Sequence, residues 1–250
     1  MALALVLSLG FSHIPANAMG TTNEQTLEVD GVIYYISSCE QDGENIVEVR
    51  TSNNDDYYTY KVDVQNQTIE YQTHNFQSEG NYETITEIID TSVYAENIED
   101  NSTQVSPLAI GYGSKVECKM GDYWYQSGSE GTKTYLKIGC KATYLIRTDN
   151  LSDAKYDKCE SYKSNIRKCN SSYNKALAAV GGSSAILGTI IGIVLANIAF
   201  PPSVIITAVV AVFGSGAGYV AAANYAIDAQ EYKDIAADIY ITIRTYGTKQ

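Results

Sequence analysis

Between Lys175 and Asp228 the chain runs for 52 residues without a formally charged side chain. Few folds accommodate such a run. It must be buried in a core, sunk in a bilayer, or moved from one to the other. Pro201 and Pro202 divide it. Proline cannot continue a helix interior and biases the residue before it away from helix. The pattern therefore predicts two apolar helices, at 176–199 and 203–227, joined by a tight AFPPS turn. Each would hold ~24 residues, enough to cross a ~30 Å hydrocarbon core at 1.5 Å per residue. Two such helices run antiparallel, as a hairpin.

Small residues recur every four positions on both arms. Ser184, Gly188, Gly192 and Ala196 mark the first, and Gly214, Gly218, Ala222 and Ala226 the second. That spacing puts each set on one helix face, where two backbones can approach closely, as helices do in lipid. Glycine costs a water-exposed helix ~1 kcal/mol relative to alanine, so close packing must compensate. Three readings stay open: a hairpin buried in a water-soluble fold, a permanent two-span anchor, and a sheltered hairpin that enters a target membrane.

The rest of the chain is polar, with a sharp break in charge. Residues 19–107 hold 18 acidic side chains against Arg50 and Lys61, a net of −16, whereas 108–250 hold 15 basic and 11 acidic, a net of +4. The overall charge of −12 argues against nucleic acid as a partner, because a phosphate backbone wants clustered Lys and Arg. The break suggests an acidic unit over 19–105, a pro-region or internal cover, and a cysteine-bearing, membrane-active unit over 106–250. Residues 1–18 read as a secretory signal, with an apolar run, Pro15 and a small-x-small site that places cleavage between Ala18 and Met19. The usual basic residues are missing ahead of that run, so a start upstream of Met1 is an expectation. A secreted location permits disulfides. Cys118, Cys140, Cys159 and Cys169 form an even set of four, and Cys39 is left over.

The fold class expected is α+β, with antiparallel β-meander units, then an amphipathic helix, the apolar hairpin and a short C-terminal strand. From Thr26 to about His74, runs rich in Val, Ile, Thr and Tyr alternate with turn residues, and Asp30-Gly31 signals a type I′ hairpin. The segment YETITEIIDTSVYA reads as a possible helix, and EDNSTQVSP as a linker. The runs AIGYGSKVECKM, DYWYQS and KTYLKIGCKATYLIRT form a hairpin closed by GSEG. A helix follows Ser152, its expected N-cap, and IYITIRTY reads as a strand. On a continuous helix Cys159 and Cys169 lie ~15 Å apart, too far to bridge each other. Folding the helix back along the strand pairs Cys140 with Cys169 and Cys118 with Cys159. Tyr123, Trp124 and Tyr125, near the hairpin tip, are candidates for a membrane interface or for core packing.

The hairpin and its flanking helix, about residues 151–235, resemble the apolar hairpin of colicin-like pore-forming toxins. The layout as a whole is similar to large secreted antimicrobial proteins (bacteriocins) of Gram-positive bacteria related to geobacillin. The shared features are a signal ending IPANA, a Tyr- and Thr-rich β region, a cysteine-bearing centre and a glycine-rich apolar C-terminal part. YGSKVEC is faintly similar to the box of pediocin-like peptides but departs from it at Ser114 and Lys115. These resemblances imply a protein that permeabilises target membranes, with membrane lipid and further copies of itself as partners. The alternative is a cell-surface structural protein held in the producer's membrane by the same hairpin.

Catalysis has little to build on. His74 is the one histidine after the signal and no acid–base constellation surrounds it in sequence. No C-x₂₋₄-C occurs, so no structural metal is expected, and GSGAG lacks the Lys-Ser/Thr ending of a phosphate loop. No cofactor is expected, and the chain is read as a non-enzyme.

Overall fold

A computed structural model of the chain describes residues 23–41, 44–52, 55–78, 81–95 and 111–250. The signal-like segment with its Ala18–Met19 site, and the linker string after residue 95, lie outside these residues. The fold is α+β, as the pattern of runs implies. The described residues form two compact units that interleave along the chain. One combines residues up to 95 with 177–224, and the other combines 111–176 with 225–250. The apolar hairpin therefore belongs with the acidic strands and not, as a boundary at 105/106 would have it, with the cysteine-bearing part.

The first unit is built on a six-stranded antiparallel meander in sequence order: β1 (Asn23–Val29), β2 (Val32–Gln41), β3 (Glu44–Thr51), β4 (Tyr57–Asp63), β5 (Thr68–Ser78) and β6 (Asn81–Asp90). Asp30 and Gly31 both take positive φ, 52° and 80°, as a type I′ turn between β1 and β2 requires. Alternation fixes which face is apolar. The register sets Ile36 against Val49, Val47 against Tyr60, and Val62 against Ile69, and all six are buried. The segment read as a helix over 82–95 is instead β6, with only Ser92–Ala95 helical as α1. Its Thr and Ile residues are stiff at χ1 and pack well on a pleated surface, and β5 offers an unbroken ladder from Thr68 to Phe76, with an irregularity before Ser78.

The second unit holds β7 (Gly111–Tyr112), β8 (Val116–Glu117), β9 (Trp124–Glu130), β10 (Lys133–Gly139), β11 (Thr143–Arg147) and β12 (Thr248–Lys249). Its sheet runs β12-β11-β10-β9-β7, with β8 also on β9. Two long helices complete the chain's framework, α2 (Asp153–Ala179) and α5 (Ala217–Ile243). Helix α2 starts directly after Ser152, whose carbonyl accepts from the Tyr156 amide at 2.9 Å. Its buried stripe, Cys159, Tyr162, Ile166, Cys169, Tyr173 and Ala176, follows the three-and-four spacing of a core-facing helix. Residues 239–243, expected in a strand, continue α5. Ala236, Tyr240 and Ile243 are buried at that same spacing, so helical packing overrides the β-branched composition.

Between α2 and α5 lie α3 (Ser184–Ala196) and α4 (Pro202–Phe213). The two long arms expected at 176–199 and 203–227 are thus broken into four pieces. The breaks are glycines. Gly181, Gly182 and Gly214 take φ of 67°, 82° and 83°, a region that side chains with a Cβ rarely adopt. The proline joint is where the sequence placed it, with Asn197 capping α3 and Pro202 opening α4.

Candidate functional site

The hairpin is the feature with functional potential, and its seat is the buried face of the acidic sheet. Helix α3 packs on β5 and β6, and α4 on β1, β2 and β3. Leu187, Ile190, Ile191, Ile193 and Val194 of α3 and Val204, Ile205, Ala208 and Val209 of α4 are buried, each large side chain stabilising the seat by ~1.5–3 kcal/mol. Phe200, in the joint, meets Tyr58 edge-on at 4.9 Å and Tyr34 at 6.1 Å. The Ser38 hydroxyl donates to the Ala211 carbonyl at 3.5 Å.

The small residues are distributed differently from two facing stripes. A Cβ on Gly188 would lie 2.6 Å from the Thr91 carbonyl oxygen, and one on Gly192 2.5 Å from Thr91 Cγ2 and 2.6 Å from Ile69 Cδ1. These glycines let α3 approach the sheet and the segment after β6, not the other arm. Gly218 faces the Ala179 carbonyl, where a Cβ would be 2.5 Å away, at the end of α2. Gly214 is a joint with open space around it. Ala222 and Ala226 are buried, whereas Ser184 and Ala196 are half-buried. Thr91, Ile69 and Tyr60, which form the seat, carry no motif. Only the alternation in β4 and β5 could have pointed to Tyr60 and Ile69.

In the seat, Gln67 Oε1 and Thr91 Oγ1 are buried without a hydrogen bond to another described residue, while the Tyr60 phenol has the Asn197 side chain as its partner. Burial drives the Tyr60 phenol far above its ordinary pKa. Each of the two unpartnered oxygens costs the closed state ~1–3 kcal/mol.

As folded, no helix among the described residues is long and apolar enough to cross a membrane. Helices α3 and α4, of 13 and 12 residues, extend only ~20 and ~18 Å at 1.5 Å per residue.

On the sheet's other face, His74 stacks on Tyr57 with ring centroids 4.2 Å apart and sits between Thr59 Oγ1 at 2.9 Å and Thr84 Oγ1 at 3.0 Å. Desolvation lowers its pKa, with Arg50 adding to the shift and Glu48 opposing it. A lowered folded pKa means that the unfolded chain takes the proton first. This contribution to stability is complete above the free value of ~6.5 and is lost as pH falls from there through the folded pKa. The urea midpoint of the wild type should therefore drop between pH 7 and 5.5 more than that of His74→Gln. Parallel curves would remove His74 from the pH response.

The cysteines are arranged otherwise than the strand-length argument proposed. Cys140 occupies the turn between β10 and β11, not the middle of one strand, so the level with Cys169 never arises. Cys118 Sγ instead lies 3.2 Å from Cys169 Sγ, and Cys159 is buried elsewhere on α2, where desolvation pushes its thiol up to about 11. All five cysteines are thiols in this structure. Asn170 clamps the segment that carries Cys118. Its Oδ1 accepts from the Lys119 amide at 2.9 Å and its Nδ2 donates to the Glu117 carbonyl at 2.7 Å. Asn170→Ala should cost ~1–2 kcal/mol in urea unfolding, since two backbone groups lose their partner. Asn170→Asp, which keeps only the acceptor, should fall between. Equal stability of all three would dismiss the clamp.

The aromatic trio lies at the base of the β9–β10 hairpin, not its tip. Tyr125 is buried, and its hydroxyl accepts from Arg167 Nε at 2.6 Å. Trp124 is half-buried beneath Lys115, whose Nζ stands 4.7 Å from the ring, and its indole fills the space a Cβ on Gly139 would need. Tyr123 meets Tyr240 edge-on at 5.5 Å. Tyr125 is therefore core, and only Tyr123 and Trp124 offer part of a ring to solvent. Among the described residues no group of three or more His, Cys, Asp or Glu side chains is placed to hold a metal ion. No protein-family model, curated protein or solved structure matches the chain.

Proposed function

We propose that the protein is a secreted, membrane-active antimicrobial of the toxin class, which stores an apolar hairpin on its acidic sheet and releases it into the bilayer of a target cell. The observation that carries this reading is the seat itself. An uncharged pair of short helices, bounded by glycine joints with positive φ, is held on a separate sheet by apolar contact, with Gln67 Oε1 and Thr91 Oγ1 buried there without a partner among the described residues. Such a seat is stable in water and is weakened by an alternative apolar medium.

The mechanism has three steps. Residues 108–175, with 12 basic and 7 acidic side chains, approach an anionic surface, each well-placed basic residue contributing ~1 kcal/mol. The hairpin then leaves β2–β6, and its joints straighten into two spans. Finally, copies associate through Gly188 and Gly192, which the departure from the seat uncovers.

A permanently buried core is the competing reading, favoured by the full burial of α3 from Leu187 to Val194. Dye release separates the two. Chain lacking residues 1–18, added to anionic and to zwitterionic liposomes, should release dye from the anionic ones, and salt should slow release by screening the approach. An intact, soluble protein that releases nothing from either would leave the hairpin a core element. Recovery only in the producer's membrane fraction would favour the surface-anchor alternative.

A further inference from the structure

We infer that Cys118 and Cys169 are a disulfide pair, a covalent staple between the segment after β8 and the middle of α2, and that Cys39, Cys140 and Cys159 remain thiols. This inference does not depend on the membrane reading, and neither does its test.

Geometry carries it. The two sulfurs lie 3.2 Å apart in a buried site, Cys118 being 4% exposed and Cys169 fully enclosed. A disulfide requires an approach of roughly 1 Å more, to ~2.05 Å. The surroundings hold both partners still. Asn170, the next residue after Cys169, bonds to the backbone on both sides of Cys118. The Cys118 amide itself donates to the Tyr123 carbonyl at 2.7 Å, and its carbonyl accepts from Gly121 at 3.3 Å. Cys118 is thus fixed by its neighbours before, at and after its own position. Cys169 is fixed on a continuous helix. Neither cysteine can choose another partner without breaking this arrangement.

The chemistry of the pair is asymmetric in a way that favours oxidation. The Cys169 thiol donates toward Cys118 and, with the Met120 amide and the nearby Lys233 ammonium, favours the Cys118 thiolate despite its burial. The same interaction, together with desolvation, holds the proton on Cys169. In the closed fold Cys118 is the more readily deprotonated of the two, and in the open turn either thiol can attack first. The oxidant is a low-molecular-weight or protein disulfide, met while the 118–123 turn is still open. Where Cys118 is first, its thiolate attacks one sulfur of that disulfide, the S–S bond breaks, and one thiolate leaves. Cys169 loses its proton to the departing thiolate and attacks Cys118 Sγ. The mixed disulfide breaks, and the second thiolate leaves. Two protein thiols are oxidised to one disulfide, and one disulfide is reduced to two thiols.

The test is a peptide map of the full chain without its first 18 residues, refolded in a glutathione redox buffer and alkylated in denaturant without further reductant. A single cross-linked species joining the Cys118 and Cys169 peptides is expected, with Cys39, Cys140 and Cys159 alkylated. Alkylation of Cys118 or Cys169, or a cross-link from either to another cysteine, would overturn the assignment. A second measurement guards against scrambling on digestion. Reduction should lower the melting temperature of the oxidised chain by about 5–10 °C, and should leave that of Cys118→Ala unchanged. If Cys118→Ala melts with the same sensitivity to reductant as the parent, another pair is responsible and the inference fails.

Discussion

Gly188→Leu is expected to destabilise the chain by ~3 kcal/mol or more, the upper end of overpacking effects. The reason is the identity of the neighbour. A Cβ at this position would lie 2.6 Å from the Thr91 carbonyl oxygen, a backbone atom that cannot rotate away. Thr91 is itself fully buried, and its amide is tied to the Gln67 carbonyl at 2.8 Å. Helix α3 must then lift from the sheet, and the apolar contacts of Ile190, Ile191 and Val194 weaken together. Gly113→Ala is the control. Its Cβ meets the Ser127 carbonyl at an ordinary 3.6 Å, and its effect should stay within ~0.5 kcal/mol. Urea unfolding followed by far-ultraviolet circular dichroism reads both. The variant also separates the two functional readings. A stored hairpin with a weakened seat should bind liposomes more readily than the parent, without a matching rise in dye release because Gly188 is also needed where copies associate, whereas a core element should only unfold. A Gly188→Leu chain as stable as the parent would contradict the close approach of α3 to the sheet.

Tethering α4 to β2 is expected to abolish dye release. The Ser38 hydroxyl and the Ala211 carbonyl are 3.5 Å apart across the seat, so Ser38→Cys with Ala211→Cys, in a Cys39→Ser background, places two thiols on facing elements. Oxidised, this chain cannot part its hairpin from the sheet. Release should fall at least tenfold and recover on reduction to within about twofold of the Cys39→Ser parent treated in the same way. Treating the parent identically removes any contribution from Cys118 and Cys169. Full release from the cross-linked chain, with the cross-link verified by mass, would exclude a departure of α4 from the seat.

Much of the fold is legible in the order of residues. Alternation in β2 to β5 reports one buried face, Asp30-Gly31 reports the first turn, and Pro201-Pro202 reports the hairpin joint, because each is a local constraint on backbone or burial. Hydropathy reports that 176–227 must be covered, but not by what. It carries no information about partners distant in sequence, so the pairing of α3 with Thr91 and Ile69 cannot be read from it. The glycines show this limit clearly. A four-residue spacing is compatible with helix against helix and with helix against sheet, and the second is what Gly188 and Gly192 do. Gly181, Gly182 and Gly214 count equally toward a long helix by composition, and only their positive φ turns them into joints. β6 and the end of α5 depart from the sequence pattern in opposite directions. For Thr84, Ile85 and Ile88 the β5 ladder decides the structure. For Tyr240 and Ile243 helical burial decides it. The cysteine pairing turns on one element length, since Cys140 lies in a turn and not within a strand.

The interleaving of the two units sets a timetable for the nascent chain. The sheet β1–β6 is complete at Asp90, but its cover begins only at Ser184, more than ninety residues later. At ~5–20 residues per second, the apolar face bearing Val47, Val49, Tyr60, Val62 and Ile69 waits ~5–20 s for the helices that close it. The second unit is likewise unfinished until α5 and β12 emerge. Neither unit can fold to completion before almost the whole chain has been made, even though the strands of the β1–β6 meander pair in sequence order. The waiting face is an aggregation hazard, and the net charge of −16 over residues 19–107 makes half-made copies repel one another.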